Sequence, residues 1–316
     1  MSKIRNVATV FGGTGFVGRY IVSRLLKQGY VVRVSVPSPA LTVSLRTMGD
    51  VGQMVPLYSS VTKEETVTRA VEGAEIVVNA SRKQFSHKKP ELNRLNVDGA
   101  GRVARLCAAA GVKKLIHLST VGADENSNSL FLQSRKIGEN EVKKFFPAAT
   151  IIRHTIPFGI DDHFLNVLAR QIKALSIMLV YKSNVRLQPV YVSDIADAVI
   201  RIINLADTNG HSYEIAGPEV YTNHELISWM IKWLHQNTIP CAFPAGLMTI
   251  MAKILQNLPG SFMNASLLNM MNNDCVLNNG VNDFDNLGIK PMSIEMLAPE
   301  FLFAYRPADD FENAPV

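Results

Sequence analysis

One segment constrains the fold more than any other: Ala8-Thr9-Val10-Phe11-Gly12-Gly13-Thr14-Gly15-Phe16-Val17-Gly18-Arg19-Tyr20. A β-type apolar run feeds a glycine-rich turn that opens directly into a helix, the arrangement that cradles a phosphate. Gly12 permits the tight turn, Gly15 lets the backbone approach a pyrophosphate, and Gly18 lets the helix sit close on the strand. Helix N-terminal amides then present partial positive charge to the anion. The spacing is G-x-x-G-x-x-G rather than G-x-G-x-x-G, so the pattern needs its context. A strand precedes it and an amphipathic helix follows, with Tyr20, Ile21, Leu25 and Leu26 on one stripe. The competing reading is a glycine turn that holds no ligand.

Strands and helices alternate downstream. Val31 to Val36, Val55 to Tyr58, Ala74 to Ala80, Lys114 to Ser119 and Thr150 to Arg153 read as strands two to six. Helical periodicity runs over Lys63 to Val71, Asn93 to Ala110, where Gly111 ends the helix, and Gln133 to Phe145. That alternation specifies an α/β fold, a Rossmann-type doubly wound parallel sheet of six or seven strands, which binds ligands outside the carboxyl ends of its strands. The expected organisation is a dinucleotide-binding core over residues 1–160. Residues 161–316 would add late core elements near 186–216 and a smaller, mainly helical C-terminal cap. In that second region Val190 to Val192 and Ser212 to Ala216 are strand candidates. His224 to Leu234 and Gly246 to Leu258 read as helices in a stretch broken by Pro240, Pro244 and Pro259. The stripe Leu247, Ile250, Met251, Ile254 and Leu258 is either ordinary core or a docking face.

The 316 residues are 47% hydrophobic, enough for a sizeable core. A formal charge of +5 is dispersed along the chain, as in any mildly basic soluble protein; it is compatible with an anionic cofactor, an acidic partner or an anionic membrane surface, and no nucleic-acid partner is expected. Cys107, Cys241 and Cys275 are odd in number and far apart, which suggests neither a disulfide framework nor a zinc site and points to a reducing compartment. Asp161-Asp162-His163 reads as a cap or turn in preference to a metal site, and no metal is expected. No stretch reaches 18 uninterrupted apolar residues, so no transmembrane segment is expected.

Several segments together resemble the short-chain dehydrogenase/reductase superfamily in its extended and atypical branches, the NAD-dependent epimerase/dehydratase type. They are Gly12 to Gly18, Asn79-Ala80-Ser81, Asn96-Val97-Asp98-Gly99, Ile116-His117-Leu118-Ser119-Thr120, and Gln188-Pro189-Val190-Tyr191-Val192-Ser193-Asp194-Ile195-Ala196. Met48 to Gln53, Phe158 to Asn166 and Tyr305-Arg306-Pro307 narrow the similarity to nucleotide-binding accessory subunits of respiratory complex I and their bacterial relatives.

This resemblance implies a cofactor laid along the sheet edge. Gly12, Thr14, Gly15, Phe16 and Val17 would hold the pyrophosphate, and Ser60 and Val61 would face the adenine. Ala80 and Ser81 would pass beneath the ribose, and Thr155 and Ile156 would border the nicotinamide. Strand two ends at Val36-Pro37-Ser38 without the acidic residue that accepts hydrogen bonds from an adenosine ribose. With Ser38 as a donor and Arg33 and Arg46 nearby, NADP(H) is favoured over NAD(H). Asp194 is either a family acid or the N-cap of a helix over Ile195 to Leu205.

The superfamily's chemistry uses a Tyr four residues before a Lys, so that the two share a helix face and the ammonium lowers the phenol's pKa. Lys136 is taken as that lysine, which puts Leu132 at the Tyr position, with the equally inert Phe131 beside it. Loss of a general acid/base costs roughly 10²–10⁴-fold in rate. Lys136, Ser119 and Thr120 would then be residual site residues, Lys136 and Ser119 still able to touch the cofactor. Three functions stay open: a nearly inert NADP(H)-binding protein like the complex I accessory subunit, an active reductase, epimerase or dehydratase with an unconventional proton donor, or a nucleotide-sensing regulator. Respiratory complex I or another membrane-associated assembly is the expected partner. The expected location is the cytoplasm, with attachment at the periphery of the inner membrane, on the mitochondrial matrix side if a presequence was removed.

Overall fold

A computed structural model describes residues 6–84, 86, 88–244, 246, 272–278 and 280–307. The described chain forms two compact units. The first contains Met1–His154, Val192–Ile215 and Asn278–Lys290, and the second Thr155–Tyr191, Ala216–Leu277 and Pro291–Val316.

The first unit is built on strands β1 (Val7–Phe11), β2 (Val31–Val36), β3 (Met54–Tyr58), β4 (Ile76–Asn79), β5 (Lys114–Thr120) and β6 (Thr150–His154). A seventh strand, β11 (Ser212–Ile215), returns late in the chain and gives the order β11-β6-β5-β4-β1-β2-β3. Every pairing in this sheet is parallel. Central strands buried on both faces need near-continuous apolar runs, and β4, Ile76-Val77-Val78-Asn79, is buried throughout. The order reverses at β1, so the Gly12 turn at the end of β1 lies at the topological switch point, where such sheets bind ligands.

Helices α2 (Glu64–Val71), α3 (Lys89–Asn96), α4 (Asp98–Ala109) and α5 (Leu130–Phe145) follow β3, β4 and β5. One core gathers Phe11, Val77, Leu115 and Ile151 from the strands with Val67, Val103 and Val142 from the helices. Helix α1 (Phe16–Lys27) packs against α7 (Val192–Asn204), and Arg24 donates to the Asp197 carboxylate between them at 2.5 Å. After β2 the chain makes only a 3-10 helix, Pro39–Leu45.

Three local readings change. The single helix expected over Asn93 to Ala110 is two helices, because Asn96 turns its side chain outward from the helix to tertiary partners. Its amide accepts from Lys83 N and donates to the Lys83 carbonyl and to Ser134 Oγ. Asp194 is no N-cap: α7 begins at Val192, and Asp194 lies buried within its first turn. Gly18 makes its close contact with the turn itself and not with the strand, since a Cβ there would lie 2.1 Å from the Gly12 carbonyl oxygen.

The second unit has strands β7 (Pro157–Phe158), β8 (Ile177–Tyr181), β9 (Arg186–Leu187), β10 (Val190–Tyr191), β12 (Tyr221–Thr222) and β13 (Ile239–Phe243), paired as β10-β7, β12-β9 and β13-β8. Helices α6 (Leu165–Ala174), α8 (Asn223–Trp233) and Ile294–Leu302 bury Leu168, Ile172, Leu226, Met230 and Leu297 in its core. Asp162 ties down the entry to α6: its carboxylate accepts from Gly159 N, Phe164 N and Asn166 N at 2.7–3.1 Å. That is the turn role read from Asp161-Asp162-His163. The stripe Leu247 to Leu258 lies outside the described residues.

Candidate dinucleotide site

The Gly12 turn is held by its own backbone. Gly12 has φ +75°, and its carbonyl accepts from Gly15 N at 3.0 Å. Against this turn lies the end of β4: a Cβ on Gly12 would come within 2.9 Å of the Ala80 carbonyl and of Ser81 N. Ala80 and Ser81 are thereby brought beside the cradle, with Ser81 Oγ donating to Asn79 Oδ1 at 2.6 Å. Gly15 is different. Its backbone is extended, φ −69° and ψ 165°, and a Cβ would meet only the Gly12 carbonyl oxygen, at 3.2 Å. Gly15 is exposed, Thr14 and Phe16 are half-buried, and Val17 is core. Helix α1 has no side-chain cap and no acidic residue in its first turn, so no fixed charge there opposes an anion.

At the end of β3, Ser60 Oγ lies 2.8 Å from Thr62 Oγ1. Val61 is buried against α4 and its carbonyl accepts from Arg102, so its side chain is packed and offers no lining. Ser38 is exposed at the start of the 3-10 helix, and Arg46 at its end is exposed too. Arg33 is not available to a 2′-phosphate near Ser38: it donates to the carbonyls of Ala70 and Glu72 at the end of α2. Thr155 and Ile156 open the second unit and are buried in it, Thr155 Oγ1 donating to the Gln188 carbonyl.

The end of β5 is where the placement differs most from the sequence reading. Ser119 is buried, and Thr120 Oγ1 is 3.4 Å from the Val121 carbonyl. Lys136 points its ammonium to Glu139, at 3.7 Å. The side chain that α5 delivers to β5 is Arg135, which donates through Nη2 to the Leu118 carbonyl. The residue four before Arg135 is Phe131, and Leu132 approaches the Gly122 turn. Neither register puts a phenol on this face.

Around Arg135 lies a polar layer that sequence reasoning missed. Glu139 is buried and takes Arg153 at 2.7 Å, and Arg153 reaches Glu214 on β11 at 3.0 Å. These carboxylates hold the Arg153 guanidinium firmly protonated. Burial, then the positive charge of Arg82, lowers Arg135 to about 10. Burial and then Arg135 push the His117 imidazole well below its usual range. The signal was present in α5: Ser134, Arg135, Gly138, Glu139 and Val142 are its buried residues, a helical stripe that excludes Lys136.

Comparison with known proteins agrees with this architecture. The model of the NAD dependent epimerase/dehydratase family matches residues 8–216. The chain belongs to that family. It is 34% identical over 228 residues to the mitochondrial NADH dehydrogenase [ubiquinone] 1 alpha subcomplex subunit 9 of Dictyostelium discoideum, covering 71% of this chain and 63% of that protein. The Mus musculus protein of the same name is 29% identical over 303 residues, 95% of this chain and 80% of its own length. Among solved structures, dTDP-glucose 4,6-dehydratase from Streptomyces venezuelae with NAD and TYD bound superposes with TM-score 0.73 at 17% identity, over 96% of this chain and 98% of that one, and shares the fold. The chain is thus a member of a dinucleotide-binding family related to a complex I subunit, and no helix among the described residues is long and apolar enough to cross a membrane.

Proposed function

We propose that this protein binds a dinucleotide, NADP(H) in preference to NAD(H), and that it transfers hydride poorly or not at all. The observation that carries the binding is Gly15. Gly12 and Gly18 have packing reasons to lack a Cβ, whereas Gly15 has an ordinary extended backbone and a Cβ there would meet only the Gly12 carbonyl oxygen. A glycine kept where the unliganded fold asks only a few tenths of an ångström of its neighbour suits close approach of a phosphate. Gly12, Thr14, Phe16 and Val17 would frame the pyrophosphate through the backbone, Ser60 and the backbone of Val61 would flank the adenine, and Ala80 and Ser81 would underlie the ribose. The preference for NADP(H) rests on Ser38 and Arg46, with no carboxylate at the end of β2 to repel a 2′-phosphate.

Weak chemistry follows from Phe131 and Leu132, which can neither donate nor accept a proton. Ser119 and Thr120 are hydroxyls without a base paired to them among the described residues. The relatives named above suggest that the protein works as a bound-nucleotide subunit docked to a respiratory membrane assembly. Mass spectrometry of nucleotide released from the purified protein tests the first part, and NADPH is the expected species. Single-turnover oxidation of bound NADPH by carbonyl or sugar-nucleotide compounds tests the second. Turnover at rates typical of such enzymes would favour an active reductase or epimerase with another proton donor.

A further inference from the structure

The layer between α5 and the sheet carries more positive charge than its carboxylates match. Arg135 is one of the largest fully buried side chains of the protein. Only its Nη2 has a partner, and Nε and Nη1 have none among the described residues. On β5, two residues apart on one strand face, the His117 ring nitrogens and Ser119 Oγ are buried and equally unpartnered. Arg82, just beyond the end of β4, is near enough for its charge to oppose that of Arg135. The acid close to them, Glu139, already takes Arg153 and Lys136. Proteins rarely keep a buried guanidinium with idle donors beside a second cation unless a counter-charge completes the set.

We propose that Arg82 and Arg135, with Ser119 as a further donor, bind a phosphate-type oxyanion at the carboxyl ends of β4 and β5. Two forked guanidiniums and a hydroxyl supply more donors than a carboxylate uses, and they suit the several oxygens of a phosphate. Location agrees with charge. Ser81 N abuts the Gly12 turn, so Arg82 emerges one residue beyond the cradle. The phosphate has two sources: the dinucleotide's own phosphates, or a second, phosphorylated ligand. Only the first source rests on the dinucleotide reading.

The experiment is calorimetric titration and thermal shift of the full chain with inorganic phosphate and with NADPH as probes, at constant ionic strength with chloride as control. The variants are Arg82→Gln, Arg135→Met and Gly15→Val. Wild type is expected to bind phosphate saturably, and Arg82→Gln and Arg135→Met to weaken it at least tenfold; Gly15→Val weakens it too where the site holds the dinucleotide's pyrophosphate and leaves it unchanged where it holds a second ligand. Arg135→Met is expected to melt higher than wild type in phosphate-free buffer, because a buried uncompensated charge is gone. If that variant does not fold, Arg82→Gln at a half-buried position carries the test. Competition between phosphate and NADPH, with both arginine variants weakening both, assigns the oxyanion to the dinucleotide. Simultaneous binding, with NADPH affinity unchanged in the variants, assigns it to a second ligand. Absence of phosphate binding, or affinity equal in wild type and both variants, overturns the proposal and leaves ordered water as the partner of these groups. A wild-type protein that binds phosphate but shows no response to NADPH counts against the dinucleotide reading and not against this one.

Discussion

A methyl group on Gly18 would meet the Gly12 carbonyl oxygen at 2.1 Å, a contact that can be relieved only by moving α1 away from the turn. Gly18→Ala is therefore expected to cost about 1–3 kcal/mol of stability, read by urea denaturation. Gly15→Val has the opposite profile: the apo protein keeps its urea midpoint to within a small shift, and the thermal response to NADPH disappears. His117 supplies a pH dependence. Its folded-state pKa lies well below the unfolded value, so the unfolded chain binds the extra proton as pH falls below about 6.5. Stability is full above that pH and is lost below it, by up to about 1.4 kcal/mol per pH unit from this residue. In His117→Gln the difference in urea midpoint between pH 7 and pH 5.5 should shrink by that contribution. An undiminished difference would show that His117 does not titrate with folding.

Arg153 joins three elements, α5, β6 and β11, through Glu139 and Glu214 side chains that are 2% and 5% exposed. Arg153→Met would take the guanidinium from two buried carboxylates, leaving Glu139 with Lys136 and Glu214 with Asn278, and is expected to cost about 3 kcal/mol. The Arg24–Asp197 pair between α1 and α7 has side chains 28% and 44% exposed, and its loss should cost at most about 1 kcal/mol. Denaturation of Arg153→Met and Asp197→Asn side by side checks the contrast. Elements of the first kind were hard to read from sequence, and the sheet was easy, for the same reason. Strands β1, β2 and β4 are short apolar runs whose burial is written in their own residues. The break after Asn96 and the inward turn of Arg135 depend on partners far along the chain: Lys83, Ser134 and Leu118. Strand β13 was lost behind Pro240, a residue taken as a helix breaker that a two-stranded ribbon accommodates. In the site itself the glycine cradle was legible because its chemistry is local. The choice between Lys136 and Arg135 was not, since the family pattern names a lysine while the buried stripe of α5 names the arginine.

For the molecule as a whole, ligand linkage gives the broadest test. At a hundredfold excess over its dissociation constant a dinucleotide stabilises the fold by about 2.7 kcal/mol. At equal concentrations NADPH should raise the melting temperature more than NADH does, and a larger shift with NADH would reverse the cofactor preference. The unit that would bind it is assembled from three separate stretches of chain, Met1–His154, Val192–Ile215 and Asn278–Lys290. Strand β11 pairs with β6, and α7 covers α1, yet both are made only after the second unit has begun. During translation the sheet therefore waits on the ribosome with β6 as an open edge and α1 uncovered until well past residue 204, where α7 ends. A premature stop after His154 would release a chain with every glycine of the cradle but neither β11 nor α7 to complete the unit that carries it, a substrate for chaperones and proteases before it could be a holder of nucleotide.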